Sequence, residues 1–181
     1  MMRFIFSMAL IIVATGLSFS QTTLQLDNKY GFKHFELNTH PLKYKTEIDK
    51  VTSWDPNSKV TQYEYSGNDI SSLFGVFVSK VSLTYYDNKL ESIQVTFGDT
   101  EKSFTEDEYE RVLYSLQKLY GQGNPIDLSH PEFTLLGGRK WIGKKVTMEL
   151  LRLFYKPDGS TGGYIQVTEN ALHKKRISDD F

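Results

Sequence analysis

The chain has 181 residues, with 21 basic against 22 acidic side chains, no cysteine, and 2 Trp, 11 Tyr and 12 Phe. An apolar share of 39% beside 24% charged residues marks a globular chain of one domain. The charge balance excludes a strongly basic nucleic-acid binder. The missing cysteine excludes a disulfide scaffold, thiol catalysis, thiolate zinc sites and cysteine-held iron–sulfur clusters.

Residues 1–20 read as an export signal. Arg3 supplies a positive start, Phe4 to Ala14 is apolar except for Ser7, and the small residues Ser18 and Ser20 stand at cleavage-site positions before Gln21. The apolar run is short for a bilayer core of ~30 Å. No cysteine follows it, so a lipid anchor on a mature N-terminal cysteine is excluded. The expectation is a signal peptide over 1–20 and a single α+β domain over 21–181. The mature protein is expected to be exported, periplasmic or extracellular, without stable membrane insertion once the signal is cleaved. A small exported domain without disulfides fits a bacterial envelope.

Thr39-His40-Pro41 is a cap-then-proline signal for a helix start. Val60–Tyr65 is β-branched and aromatic, ends at Ser66-Gly67-Asn68-Asp69, and reads as a strand. Phe77, Val81, Leu83 and Tyr85 share one parity of the next extended segment, with Ser79 the exception, and Ser82, Thr84 and Tyr86 hold the other. Asp87-Asn88-Lys89 makes a turn. The return strand Glu91–Phe97 puts Ile93, Val95 and Phe97 inward, which gives an antiparallel hairpin with one buried face.

Thr105-Glu-Asp-Glu108 is a capping box. Tyr109, Val112, Leu113, Leu116, Leu119 and Tyr120 follow at helical spacing, and Gly121 closes a helix near Glu106–Tyr120. Residues 121–138, with Pro125, Pro131 and Gly137-Gly138, read as a loop. Trp141-Ile142, Val146–Tyr155 and Tyr164–Thr168 read as strands, the last two around the turn Pro157-Asp158-Gly159. Leu150, Leu151 and Leu153 break alternation; a bulge or burial on both faces would reconcile them with a strand. Glu169–Lys175 reads as a short helical tail. The fold class is α+β: a largely antiparallel sheet of hairpins with one principal helix packed on a face.

No catalytic, cofactor or metal constellation stands out. Gly138-Arg-Lys-Trp-Ile-Gly143-Lys144 has phosphate-loop spacing, but Lys145 occupies the Ser/Thr position and strand follows where a helix is needed, so it reads as a basic turn. His34, His40, His130 and His173 are far apart, with no pair at metal-binding helical spacing, and read as surface or capping residues. Gly159-Ser160-Thr161-Gly162-Gly163 has the wrong order for a nucleophile elbow and reads as hairpin turn. Glu106, Asp107, Glu108 and Glu110 suit the helix dipole, and His173–Arg176 reads as a solvated tail.

Aromatic side chains are the remaining feature. Trp54, Tyr63, Tyr65, Tyr86 and Trp141 are the candidates for a ligand or partner surface, Tyr86 because it lies on the parity opposite Tyr85.

Phe74-Gly75-Val76 leading into Val81–Asn88, Lys89-Leu90-Glu-Ser-Ile93, Leu119-Tyr120-Gly121 and Trp141-Ile142-Gly143-Lys144-Lys145 occur in an order that resembles uncharacterised exported α+β domains of Gram-negative, Bacteroidota-type bacteria. The resemblance covers residues 60–170. It implies export and an α+β fold, and it carries over no site residue.

The functional expectation is an exported, non-enzymatic envelope protein that binds a protein or small ligand on its sheet face, an inhibitor or immunity protein being a specific version. A structural subunit of a surface assembly and a small envelope hydrolase using loop acids such as Asp99 or Asp127 are the alternatives. No cofactor and no nucleic-acid partner are expected.

Overall fold

The computed structural model of the protein describes residues 24–51, 58–99 and 101–179; the export signal over 1–20 and Trp54 lie outside them. Helix α1, described over 24–29, leads into a small hairpin of β1 (Gly31–Phe32) and β2 (Phe35–Glu36). The cap-then-proline signal produces a 3-10 turn over Pro41–Tyr44, in which His40 Nδ1 accepts the Leu42 N–H at 3.2 Å. The main elements follow: β3 (Ile48–Lys50), β4 (Val60–Tyr65), β5 (Ser72–Leu73), β6 (Val76–Tyr86), β7 (Lys89–Phe97), α2 (Glu106–Tyr120), β8 (Asn124–Pro125), β9 (Phe133–Ile142), β10 (Val146–Tyr155), β11 (Thr161–Glu169) and α3 (Asn170–Asp179).

The protein is α+β. Its main sheet runs β3-β4-β6-β7-β11-β10-β9-β8 with every pairing antiparallel, and β5 adds to β6. Period-two alternation sorts the strands into two faces. Leu83, Ile93, Val167, Met148 and Trp141 stand directly opposite one another along a row that crosses β6, β7, β11, β10 and β9. That inner face is buried under α1, the β1–β2 hairpin and α2, whose Tyr109, Val112, Leu113 and Leu116 join the same core. The other face carries half-exposed Ser82, Gln94, Thr96 and Gln166.

Two departures from the sequence reading and the broken alternation of β10 have physical causes in the structure. The β6–β7 register shifts between Val78 and Lys80, so Val78 turns inward and Phe77 is left 39% exposed, although parity alone places Phe77 inside. Ser79, the extra residue, donates its hydroxyl to the Gly98 carbonyl at 2.7 Å. In β10, Leu150 is buried on the inner face. Leu151 and Leu153 share the opposite parity and are buried as well, because Ile126 and Leu135 gather over Gly138 on that side. Burial on both faces is therefore what breaks the alternation. Finally, Gly137-Gly138 and Gly162-Gly163 lie inside β9 and β11 and not in loops or turns.

Tyr85 is fully buried on the inner face, with Tyr63 edge-on to its ring at 5.2 Å, and its hydroxyl finds no hydrogen-bond partner among the described residues. Burial of an unpaired hydroxyl is unfavourable. Tyr85→Phe keeps the packing and removes that group, so it is expected to stabilise the protein by about 1 kcal/mol. Urea denaturation measures this, and a loss of stability would show that the hydroxyl is bonded after all.

Candidate functional site

The C-terminal half of α2 does not reach the sheet everywhere. Thr105 and Glu108 close the reciprocal capping box, with the Glu108 N–H donating to Thr105 Oγ1 at 3.3 Å and the Thr105 N–H to Glu108 Oε2 at 3.0 Å. At the other end Gly121 turns the chain with φ 79° and ψ −173°, and its carbonyl accepts the Trp141 indole N–H at 2.8 Å. A positive φ with extended ψ is a conformation that glycine adopts without a side-chain clash. Held at both ends, α2 presents Leu116, Leu119 and Tyr120 to a cavity of about 250 Å³.

The floor of that cavity is Met148, Ile165 and Val167 on the inner face. Its far wall comes from α1, β1 and the turn before β6, through Leu26, Phe32, Leu73 and Phe74. Two contacts hold this wall in position. The Asp27 carboxylate accepts the backbone N–H groups of Lys144, Lys145 and Val146 at 2.8, 2.7 and 3.0 Å. Arg111 on α2 donates to the Gly75 carbonyl at 3.3 Å. The segment with phosphate-loop spacing is thus the end of β9 and its hairpin turn. The amides of that turn do cradle an anion, and the anion is the chain's own Asp27.

Lys29 and Lys33 also line the cavity and are exposed, which places them at its mouth. Lys33 and Phe74 both carry positive φ, 54° and 53°. That region disfavours residues with a Cβ, and such strain persists where surrounding structure imposes it.

Beside the cavity, burial first and Glu169 second push the Tyr30 hydroxyl up to about 12. Burial and then Glu149 do the same for Tyr164, also to about 12. Tyr85, Tyr109, Tyr120 and Tyr155 are raised too, in each case chiefly by burial. A tyrosine ionises at about 10 in an unfolded chain. The folded protein therefore holds these protons more tightly, so the stabilisation is complete below pH ~10 and is lost as pH rises toward ~12. Parallel tyrosinate absorbance and far-UV circular dichroism are expected to show a fraction of the tyrosines ionising late and together with unfolding. Uniform titration near pH ~10 with the fold intact would contradict this.

The described aromatic candidates, Tyr63, Tyr65, Tyr86 and Trp141, do not form one exposed surface. Tyr63 and Tyr65 are half-buried and pack on the core, Tyr65 edge-on to Phe35 at 5.4 Å. Trp141 is 4% exposed and is the inner-face residue that holds the end of α2. Tyr86 does lie on the outer face, as its parity implies, yet it is 1% exposed because α3 covers it: its hydroxyl bonds Asp179, and Lys175 lies over its ring. The basic run His173–Arg176 is accordingly part of a docked helix, where the reading from sequence had a solvated tail. His173 Nδ1 and Arg176 Nε meet the buried Glu91 carboxylate at 2.8 and 2.9 Å.

The remaining polar candidates have structural partners. His34 pairs with Glu47 at 2.7 Å, and His130 Nδ1 accepts the Glu132 N–H. Asp99 accepts the N–H groups of Glu101 and Lys102 and folds its own loop, while Asp127 is exposed between β8 and β9. Among the described residues no group of three or more His, Asp or Glu side chains is placed to hold a metal ion. The cavity was not visible in the sequence: α1, β1 and β5 carry weak local patterns, and the Asp27 contact joins residues more than a hundred positions apart.

No family model matches the chain, and comparisons with curated proteins and with solved structures find no match.

Proposed function

We propose that this is an exported, non-enzymatic protein of a bacterial envelope that binds a small ligand between α2 and the inner face of its sheet. The observation that carries this reading is the 250 Å³ cavity, whose walls come from α1, the β1–β2 hairpin, the β5–β6 turn, α2 and the sheet. Small-molecule sites are concave, mostly apolar and largely preformed, and bear a few polar groups. Residues 1–20 support export through their charged start, apolar run and small cleavage-site residues. The resemblance to exported α+β domains of Gram-negative bacteria points the same way.

Native mass spectrometry of the full chain, expressed with its own leader and gently purified from a Gram-negative envelope, tests the reading. The expected spectrum shows a chain beginning at Gln21 with a defined small mass retained. A bare chain across solution conditions would overturn the ligand reading, and an intact Met1 would overturn export.

A further inference from the structure

Resting on that ligand-binding reading, the geometry points to a single-chain amphiphile with an anionic head, a medium-chain fatty acid being the simplest, bound tail-inward with its carboxylate between Lys29 and Lys33. Size sets the tail. An apolar cavity of about 150 Å³ accepts a benzene-sized molecule, so 250 Å³ takes on the order of ten carbons. The lining fits a flexible chain, since Leu73, Phe74, Leu116 and Ile165 offer no hydrogen-bonding side chain and Met148 adapts its shape readily.

Charge sets the head. Lys29 and Lys33 are the charged side chains of the lining, and no Asp or Glu accompanies them. Neither makes an ion pair among the described residues, and what sets them apart from the other lysines is their place on the cavity lining. Two ammonium groups without a carboxylate partner among the described residues, at the rim of an apolar cavity, complement an anion whose remaining atoms are hydrocarbon. Both ammonium groups keep contact with water, so the carboxylate is held without the penalty of deep burial. Lys33 lies in the two-residue turn between β1 and β2, which accounts for its φ of 54°.

The test is calorimetric titration of the full chain, expressed with its leader and stripped of bound lipid, with decanoate and with decanol, its uncharged counterpart. Decanoate is expected to bind one per chain and decanol about tenfold more weakly. In the double variant Lys29→Gln/Lys33→Asn, decanoate is expected to fall to the affinity of decanol while decanol is unchanged. Asn at position 33 tolerates the positive φ, so the thermal midpoint is not expected to drop and loss of fold is separated from loss of charge. Leu73→Trp, at the half-exposed rim, is expected to weaken both ligands more than about tenfold by filling the cavity. Equal binding of the two ligands to the parent protein, both blocked by Leu73→Trp, would overturn the anionic head and leave the pocket standing. Binding of both that is indifferent to Leu73→Trp would place the ligand elsewhere. Binding of neither would overturn the amphiphile, and the pocket itself would then stand or fall on the retained mass in the native spectrum.

Discussion

Gly163→Ala is expected to cost at least about 3 kcal/mol, at the upper end for an overpacked core position. Gly163 lies within β11, in the middle of the sheet, paired with Phe97 on β7 and Arg152 on β10. A Cβ built there stands 2.3 Å from the Leu151 carbonyl oxygen and 2.7 Å from the Phe104 ring. Neither neighbour can yield. The carbonyl belongs to an adjacent strand, and Phe104 is 1% exposed and stacked on Phe97 with its backbone carbonyl held by Arg152 Nε at 3.1 Å. Gly159→Ala is the control, because a Cβ there meets nothing within 4 Å and only its φ of 71° opposes the change. It is expected to cost about 1 kcal/mol. Urea midpoints measure both, and comparable losses at the two positions would show that Phe104 does not pack against β11 as described.

Arg176→Ala is the second large effect. Glu91 is the extra residue of β7 opposite the step from Thr84 to Tyr85, 1% exposed, and both of its carboxylate oxygens accept from Arg176 Nε. Removing the guanidinium leaves a buried carboxylate with His173 beside it, and breaking a buried pair by removing one partner costs about 3–5 kcal/mol. The value is expected near the lower end, because α3 buries none of its own residues and lifts away to admit water. Exposure of Tyr86 then follows, which quenching of tyrosine fluorescence detects. Replacing both charges, Glu91→Met with Arg176→Met, is expected to return stability to within about 1 kcal/mol of the parent. A single substitution that costs less than about 0.5 kcal/mol, the surface norm, would mean that α3 does not dock through this pair.

These two sites show where reading the chain alone stops. Local signals were legible because their causes are local. The bounds of α2 follow from the Thr105–Glu108 box and Gly121, and the β6–β7 turn from Asp87 and Asn88, both of which adopt positive φ. Alternation identified most of β6 and β7, and β-branched and aromatic composition identified β4, which points to a largely antiparallel sheet with a helix on one face. The double glycines misled because glycine has two uses that look alike in sequence. At a turn it supplies positive φ, and in a strand it makes room for a close neighbour. Gly137 makes room for the Tyr109 ring and Gly163 for Phe104, and both neighbours arrive from distant parts of the chain. Phe77 misled because one inserted residue at Ser79 reverses parity, and the insertion shows in the sequence only as a single polar residue among the apolar positions.

The candidate site was less legible than the fold. Tyr86 was placed on the correct face, but whether an outer-face aromatic is free or covered depends on what docks there, and α3 docks through Glu91 and Asp179. Lys29 and Lys33 carry no distinguishing pattern; the cavity between α1, α2 and the sheet makes them notable. By itself, the sequence determined the principal helix and the main hairpin, the antiparallel class of the sheet and the chemistries for which the chain lacks residues, since propensity, capping and alternation act over a few neighbouring positions. Only the tertiary structure decided which glycines are contacts, which aromatics are covered and where a cavity remains, because packing depends on pairs of surfaces that chain order does not bring together.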